Sequence, residues 1–393
     1  MKSRYQFNKE RLAIIKENYN KDLLLKKQLL ELKEKLDKSL GELKYSVTDK
    51  EMIPESQDKH DYFSIGIYAW PNKNTENGLP WILDDCKANP YVKTMASDSI
   101  RIERFCNDIM ILTTLYYVFE DKKYVNKIEN MLEIWFINED TKMNPNMNYA
   151  QAIPGVCSGR GIGLIDARQF IKLINFIQLL EEDKLLSFDT MKNLREWFKE
   201  FIKWMETSKN GKDEESAINN HGSWYEAELT TFALFIKDEE KVRSRKARFI
   251  EKIVNQITTE GNQPHEVKRK KAWHYFIFNL EAIFIGFRNI CNIVEIEKDK
   301  EMQKVLNLLK ISQKFLIEKN NKPETWINSE DTDFFNEELR VRKFYPILAE
   351  MILEKIDENE NIEIIKKIAK MTELEVLFNT QNDYIVLFPL LKD

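Results

Sequence analysis

The 393-residue chain is poor in glycine (11) and proline (10), which argues against a β-sandwich or barrel with many tight turns. Its four cysteines, Cys86, Cys106, Cys157 and Cys291, lie far apart and form no CxxC pair. Neither a zinc site nor a redox motif is expected from them, and they read as free thiols. Positive charge is not in excess: 60 Lys and Arg stand against 65 Asp and Glu, a net charge of -5. A duplex nucleic-acid partner would need a basic face, so this balance speaks against one. An anionic ligand would require positive charge concentrated at one place. No run reaches the roughly 18 apolar residues of a membrane span, so no membrane partner is expected. The opening "MKSRYQFNKERLAIIKENYNKD" has no apolar core ahead of a cleavage site, so no secretion signal is visible. As written the chain reads as cytoplasmic, and as periplasmic or secreted if a leader was removed. Nothing in the sequence indicates an oligomeric state.

What is abundant is helical periodicity. Residues 21–45, "KDLLLKKQLLELKEKLDKSLGELKY", place leucines at three- and four-residue intervals between charges, as an amphipathic helix does. The pattern predicts further helices near 98–119, 122–137, 164–182, 188–208, 223–237, 241–259, 271–294, 298–318, 338–355 and 361–372. Within 271–294, Trp273, Ile277, Leu280, Phe284, Phe287 and Cys291 form one apolar stripe. Strand-like alternation is brief, "DYIVLF" near the C-terminus being the best case. Two long stretches, 47–97 and 138–163, lack helical pattern but hold Tyr62, Tyr68, Trp70, Trp81, Tyr91 and Tyr149. Loops so long are functional or disordered, and so many rings favour order. Aromatic loops at one end of a helical scaffold suggest a lined groove. With no linker or repeat to mark a boundary, residues 1–393 read as one all-α domain. Antiparallel helical hairpins around a common axis would make it an α/α toroid.

Two short stretches concentrate chemistry. "INNHGSWYEAE" (218–228) places Asn219, Asn220 and His221 before a predicted helix starting near Ser223. Asparagine and serine there serve equally as helix caps. "HEVKRKKAWHYFIFNLEA" (265–282) holds His265 and His274, the basic run 268–271, Tyr275 and Asn279. Tyr275 lies off the apolar stripe, where its hydroxyl can point into a pocket or pack as an ordinary amphipathic ring. Arg269, six residues earlier, must reach such a pocket from the preceding loop. "SGRGIGLIDARQF" (158–170) contains G-x-G, but no strand precedes it and no Walker lysine follows, so a phosphate loop is not indicated. Its glycines instead allow a turn into the next helix, with Arg160 projecting into the groove. Asp166 and Arg168 read as structural.

Together these stretches resemble the alginate lyase superfamily of α/α-toroid polysaccharide lyases, above all the branch containing polysaccharide lyase family thirty-eight, and family five more distantly. The likeness rests on "YSVTDK" (45–50), "HDYFSIGIYAWP" (60–71), "NPNMNYAQAIPG" (144–155), "GRGIGLIDAR" (159–168), "NNHGSWY" (219–225) and "WHYFIFNLEA" (273–282), in consistent order. The resemblance implies that Asn220 and His221 neutralise a substrate carboxylate, that Arg269 assists them, and that Tyr275 is the catalytic tyrosine. It also implies substrate-binding roles for Arg160, Tyr68, Trp70, Tyr149, His274 and Lys271, with no metal and no cofactor. Three departures bear on subsite preference: Ala69 stands where the family often has tryptophan, Lys268 precedes the arginine in place of alanine, and Glu226 follows "WY" in place of aspartate.

The chemistry explains such residues. A uronan lyase removes the proton on carbon five, beside the carboxylate, and expels the oxygen on carbon four. Donors and positive charge must mask the carboxylate and stabilise the dianion that develops. A phenol is a weak base at neutral pH unless nearby cations favour its ionised form, and Arg269 with Lys270 or Lys271 offers that field. With mannuronate or glucuronate the proton and the leaving oxygen share a face, so Tyr275 can be base and then acid. With guluronate the base would come from the other side, and His221 is the candidate. The expected partner is therefore an anionic polysaccharide or oligosaccharide. Two other readings remain: a glycoside hydrolase using Glu226 and Glu228, and a non-catalytic uronan-binding protein. Glutamates two apart on a helix face different ways, which disfavours the first.

Overall fold

The computed structural model describes residues 9–317 and two short paired strands, Phe378–Asn379 and Tyr384–Ile385. The helices predicted near 338–355 and 361–372 fall outside the described residues, as does most of "DYIVLF"; the predicted single domain 1–393 also runs beyond them. The chain clusters into two compact units, one running to Asp213 and including the two terminal strands, the other beginning at Glu214.

In the first unit the helices are α1 (Lys9–Tyr19), α2 (Leu23–Ser39), α3 (Asp98–Phe119), α4 (Lys122–Phe136), α5 (Gln169–Glu182) and α6 (Phe188–Thr207). Helix α7 (Lys209–Glu215) leads out of it. Several starts follow from side-chain caps. Asp121 accepts from the Lys123 amide at the head of α4, and Ser187 from the Thr190 amide at the head of α6. Glu120 adopts a left-handed conformation and ends α3, so α3 and α4 form a tight helical hairpin. The core between these helices is aromatic: Phe105 stacks on Trp135 at 4.6 Å, Phe170 meets Trp197, Phe198 and Phe201 edge to face, Phe136 meets Trp197 in the same way, and Trp197 stacks on Phe201.

The two aromatic stretches are ordered, and short strands hold them. β1 (Phe63–Ile65) pairs in parallel with β4 (Tyr149–Ala152), which ties one stretch to the other; β2 (Ala69–Trp70) pairs with β3 (Ile82–Leu83). The glycines of "GRGIG" lead the chain into the next helix, as expected, and have a second task. A Cβ on Gly159 would lie 2.0 Å from the Asn148 carbonyl oxygen, and one on Gly163 would lie 2.4 Å from that of Ala150. They let the backbone pass against β4. The helix predicted from 164 begins as a 3-10 stretch, Gly161–Arg168, and becomes α-helical only at Gln169.

The second unit holds α8 (Asn220–Phe235), α9 (Glu239–Gln256), α10 (Pro264–Val267), α11 (Ala272–Cys291) and α12 (Lys300–Ile317). Helix α11 is buried well beyond its predicted stripe: Phe276, Asn279, Ala282 and Ile285 are as enclosed as Leu280, and Tyr275 is buried too. The reason is its neighbours, since α8, α9, α10 and α12 all pack on it. Close helix approach is visible at Gly286, where a Cβ would meet the Phe249 ring at 2.7 Å. Polar residues inside this interface are paired. Asn289 on α11 donates to the hydroxyls of Thr231 (2.8 Å) and Thr230 (3.0 Å) on α8.

Candidate active site

The head of α8 is built by its own sequence. The Asn219 carboxamide oxygen accepts the His221 backbone N–H, so the helix starts at Asn220, three residues earlier than predicted. Asn220 and His221 thereby become its first two residues. Gly222 follows because the Ala217 carbonyl oxygen lies 2.0 Å from where its Cβ would stand.

Each of the two candidate donors is anchored by a buried glutamate. The Glu266 carboxylate on α10 accepts two hydrogen bonds from Asn220, from its backbone N–H and from Nδ2, both at 2.7 Å. The Glu214 carboxylate at the end of α7 meets Nδ1 of His221 at 2.8 Å. Both glutamates are 1% exposed. Burial pushes the Glu266 carboxyl above the ordinary glutamate range, while the two Asn220 N–H groups and the charges of Arg269 and His221 pull it back. Neither glutamate stands out in a sequence that is 32% charged. Glu214 sits in "KDEES", which reads as a solvated run. Glu266 carries a faint signal in Pro264, two residues ahead, which marks a helix start with an acid in its first turn.

Arg269 follows α10 and reaches the start of α11, as its position in the preceding loop predicted. Its Nη2 donates to the Tyr275 hydroxyl at 3.1 Å, and its Cζ lies 3.9 Å from the ring centroid. Tyr275 is buried and does not lie on an open helix face. Below it, Asn279 donates to Gln263 at 2.8 Å and to Gln256 at 3.0 Å, and Gln256 accepts from Ser223 at 2.9 Å. This network links α8, α9, the loop before α10, and α11 beneath the site. Glu266 holds Asn220 through its side chain and accepts the Arg269 backbone N–H at its carbonyl, and Arg269 in turn holds Tyr275, so α10 connects the polar heads of α8 and α11. Their donors suit an anion: one carboxamide, one imidazole and one guanidinium.

The remaining candidates are spread more widely. His274 stacks on Phe278 and meets Tyr275 edge to face at 5.0 Å. Lys271 is half-buried, whereas Lys268 and Lys270 are exposed. Arg160, Tyr68, Trp70 and Tyr149 belong to the unit that ends at Asp213. Arg160 donates from Nε to the Gln151 carbonyl at 2.9 Å and from Nη2 to the Gln151 side chain at 3.3 Å. Trp70 donates to the Lys87 carbonyl and has that lysine's ammonium over its ring. Tyr68 and Tyr149 are half-buried. Asp166 has the structural role expected, accepting from Tyr62, Ser64 and Gln151.

The glutamates of the hydrolase alternative are both fully enclosed. Glu226 is gripped by Arg245 through two hydrogen bonds, Nε at 3.0 Å and Nη2 at 2.5 Å. A carboxylate engaged in this way is not poised for acid–base work. Among the described residues no group of three His, Cys, Asp or Glu side chains is placed to hold a metal ion, and no helix is long and apolar enough to cross a membrane.

The sequence profile of the alginate lyase family matches residues 46–300, which include Asn220, His221, Arg269 and Tyr275. An alginate lyase from Bacteroides ovatus has a crystal structure that superposes with a TM-score of 0.80 at 28% identity, covering 99% of this chain and 100% of that one. Alginate lyase A1-III from Sphingomonas species A1 aligns at 16% identity and a TM-score of 0.42, over 68% of this chain and 70% of that one. A variant of A1-III in complex with a tetrasaccharide gives 14% identity, a TM-score of 0.45 and 80% coverage of each chain. No curated protein matches the sequence. The fold is therefore all-α and of the α/α-toroid class, and the protein is a polysaccharide lyase. The chain is a member of the alginate lyase family.

Proposed function

We propose that this enzyme cleaves 4-linked polyuronates, poly-mannuronate of alginate or glucuronan, by metal-independent syn β-elimination at the heads of α8 and α11. Tyr275 acts as base and then as acid, while Asn220, His221 and Arg269 neutralise the uronate carboxylate. The observation that carries this reading is the double engagement of Tyr275 by Arg269. A guanidinium that donates to the phenolic oxygen stabilises negative charge there, which the base step requires. After the carbon-five proton is taken, the same hydroxyl can return it to the departing carbon-four oxygen on the same face of the sugar. Asn220 and His221 bring neutral and ionisable donors to the carboxylate, where charge accumulates in the transition state. The half-exposed rings of Tyr68, Trp70 and Tyr149, together with Arg160, His274 and Lys271, are proposed to bind neighbouring sugars of the anionic chain.

The test is a panel of defined polyuronates with ultraviolet detection of unsaturated ends. Elimination creates an absorbing double bond, whereas hydrolysis adds water and creates none. Tyr275→Phe is expected to lower turnover at least ~100-fold, the scale of lost acid–base catalysis, while substrate binding is largely kept. A Tyr275→Phe enzyme that still turns over at the wild-type rate refutes the assignment.

A further inference from the structure

Asn220 and His221 are consecutive on a helix, so their side chains leave the axis about 100° apart and cannot share one anchor. The structure supplies two, from opposite sides in sequence: Glu214 from the end of α7, and Glu266 from α10. We propose that Glu214 and Glu266 are positioning residues of the elimination, each fixing which atom of its partner faces the uronate. This rests on the lyase reading above.

The two anchors work differently. Glu266 uses both oxygens, one on the Asn220 backbone N–H and one on Nδ2. A flipped Asn220 carboxamide would set its oxygen against a carboxylate oxygen at 2.7 Å, two acceptors with no proton between them. The amide is thereby locked with its second N–H directed away from Glu266, as a donor to a uronate oxygen must be.

Glu214 uses one oxygen. A carboxylate only accepts, so Nδ1 of His221 carries a proton and Nε2 is the atom presented outward, where it donates to the uronate carboxylate in the doubly protonated form of the ring. Its other oxygen, Oε2, is buried and has no hydrogen-bond partner among the described residues. Glu226 and Asp166 differ in this respect, since each fills both oxygens, Glu226 with Arg245 and Asp166 with Tyr62, Ser64 and Gln151. A buried carboxylate committed to a single imidazole N–H is the arrangement that sets tautomer and ring orientation in catalytic histidines.

The difference in oxygen usage gives the proposal a signature. Glutamine can still accept one hydrogen bond, so Glu214→Gln retains the His221 contact. At position 266 glutamine would turn an N–H donor against one of the two Asn220 N–H groups. In the full-length enzyme, on the uronan that the wild type cleaves, Glu266→Gln and Glu214→Leu are expected to lower kcat about 10–100-fold with far smaller changes in KM. Glu214→Gln should be the mildest of the three. Thermal unfolding checks that each variant is folded.

A second readout needs neither substrate nor variant. The chain has four histidines, so nitrogen spectra of ring-labelled wild-type protein can be assigned, and they should show His221 protonated at Nδ1. Glu266→Gln or Glu214→Leu with wild-type kcat, or a His221 ring without a proton on Nδ1, overturns the proposal while leaving the lyase reading intact. A wild-type enzyme that releases no unsaturated ends from any uronan overturns both.

Discussion

Arg269 contacts Tyr275 twice, with Cζ 3.9 Å from the ring centroid and Nη2 3.1 Å from the hydroxyl oxygen. A single planar group covers the ring and still reaches its polar tip. Lysine, a point charge on a flexible stem, cannot keep both contacts. Arg269→Met is expected to lower kcat ~100–1000-fold, as loss of one charge-stabilising donor does, with Arg269→Lys falling between it and the wild type. Rates of unsaturated-end formation measure this. A lysine variant as fast as the wild type would mean that charge alone matters and that the planar geometry does not.

Glu226 offers a direct contrast between hydrolase and lyase. Its carboxylate is 0% exposed and is matched by Arg245, which also pairs with Glu215 at 2.6 Å. Removing one partner of a buried pair costs roughly 3–5 kcal/mol. Glu226→Gln should therefore lower the melting temperature clearly, while the folded fraction keeps its lyase activity. If turnover vanished with the melting temperature unchanged, Glu226 would be a reacting group and the lyase assignment would have to be revisited.

A third expectation concerns the "YSVTDK" segment. The ammonium of Lys50 and the carboxylate of Asp98 are wholly buried and 3.2 Å apart, with Arg101 on the other carboxylate oxygen. Burial lifts the Asp98 carboxyl to about 6 even though Lys50 opposes the shift. A carboxyl raised in the folded state binds its proton more tightly there than in the unfolded chain. Its contribution to stability is present below the ordinary aspartate range and lost as pH rises through about 6. Lys50→Met removes the main counter-charge, so Asp98 should hold its proton to still higher pH. The variant is expected to lose about 3–5 kcal/mol at pH 8 and distinctly less at pH 5. Denaturant unfolding at the two values decides this, and an equal loss at both would show that Asp98 is not the titrating group.

Much of this was readable from the residues, and the exceptions have physical causes. Helices α4, α6 and α9 fall within a few residues of prediction because each has a strong apolar period and a polar or acidic start, and α3 because it is one long apolar-rich run between Ser97 and Glu120. The head of α8 was misplaced because Asn219, Asn220 and Ser223 are all competent caps, and only the Asn219 contact to the His221 amide decides among them. Tyr275 was expected off the packed stripe, but α11 has neighbours on every side, and periodicity cannot reveal how many helices surround one. Glu214 and Glu266 escaped notice because a buried glutamate and a solvated one are the same letter. What distinguishes Glu266 is a partner far along the chain, Asn220, 46 residues away; the partner of Glu214, His221, is only seven residues on but lies across a helix break. The short strands β1 and β4 were hidden for a similar reason, since each is four residues or fewer and takes its order from the other.

Gly222 looks like the least informative letter in "NNHGSWY", yet it acts as a spacer of fixed size. With the Ala217 carbonyl oxygen 2.0 Å from the place of a Cβ, even a methyl group would force the 214–217 segment away from the helix. That segment begins with Glu214, so the retreat would drag the carboxylate off His221. Tolerance of alanine at 222 thus gauges how tightly the imidazole is aimed, at a position with no side chain of its own to donate a hydrogen bond.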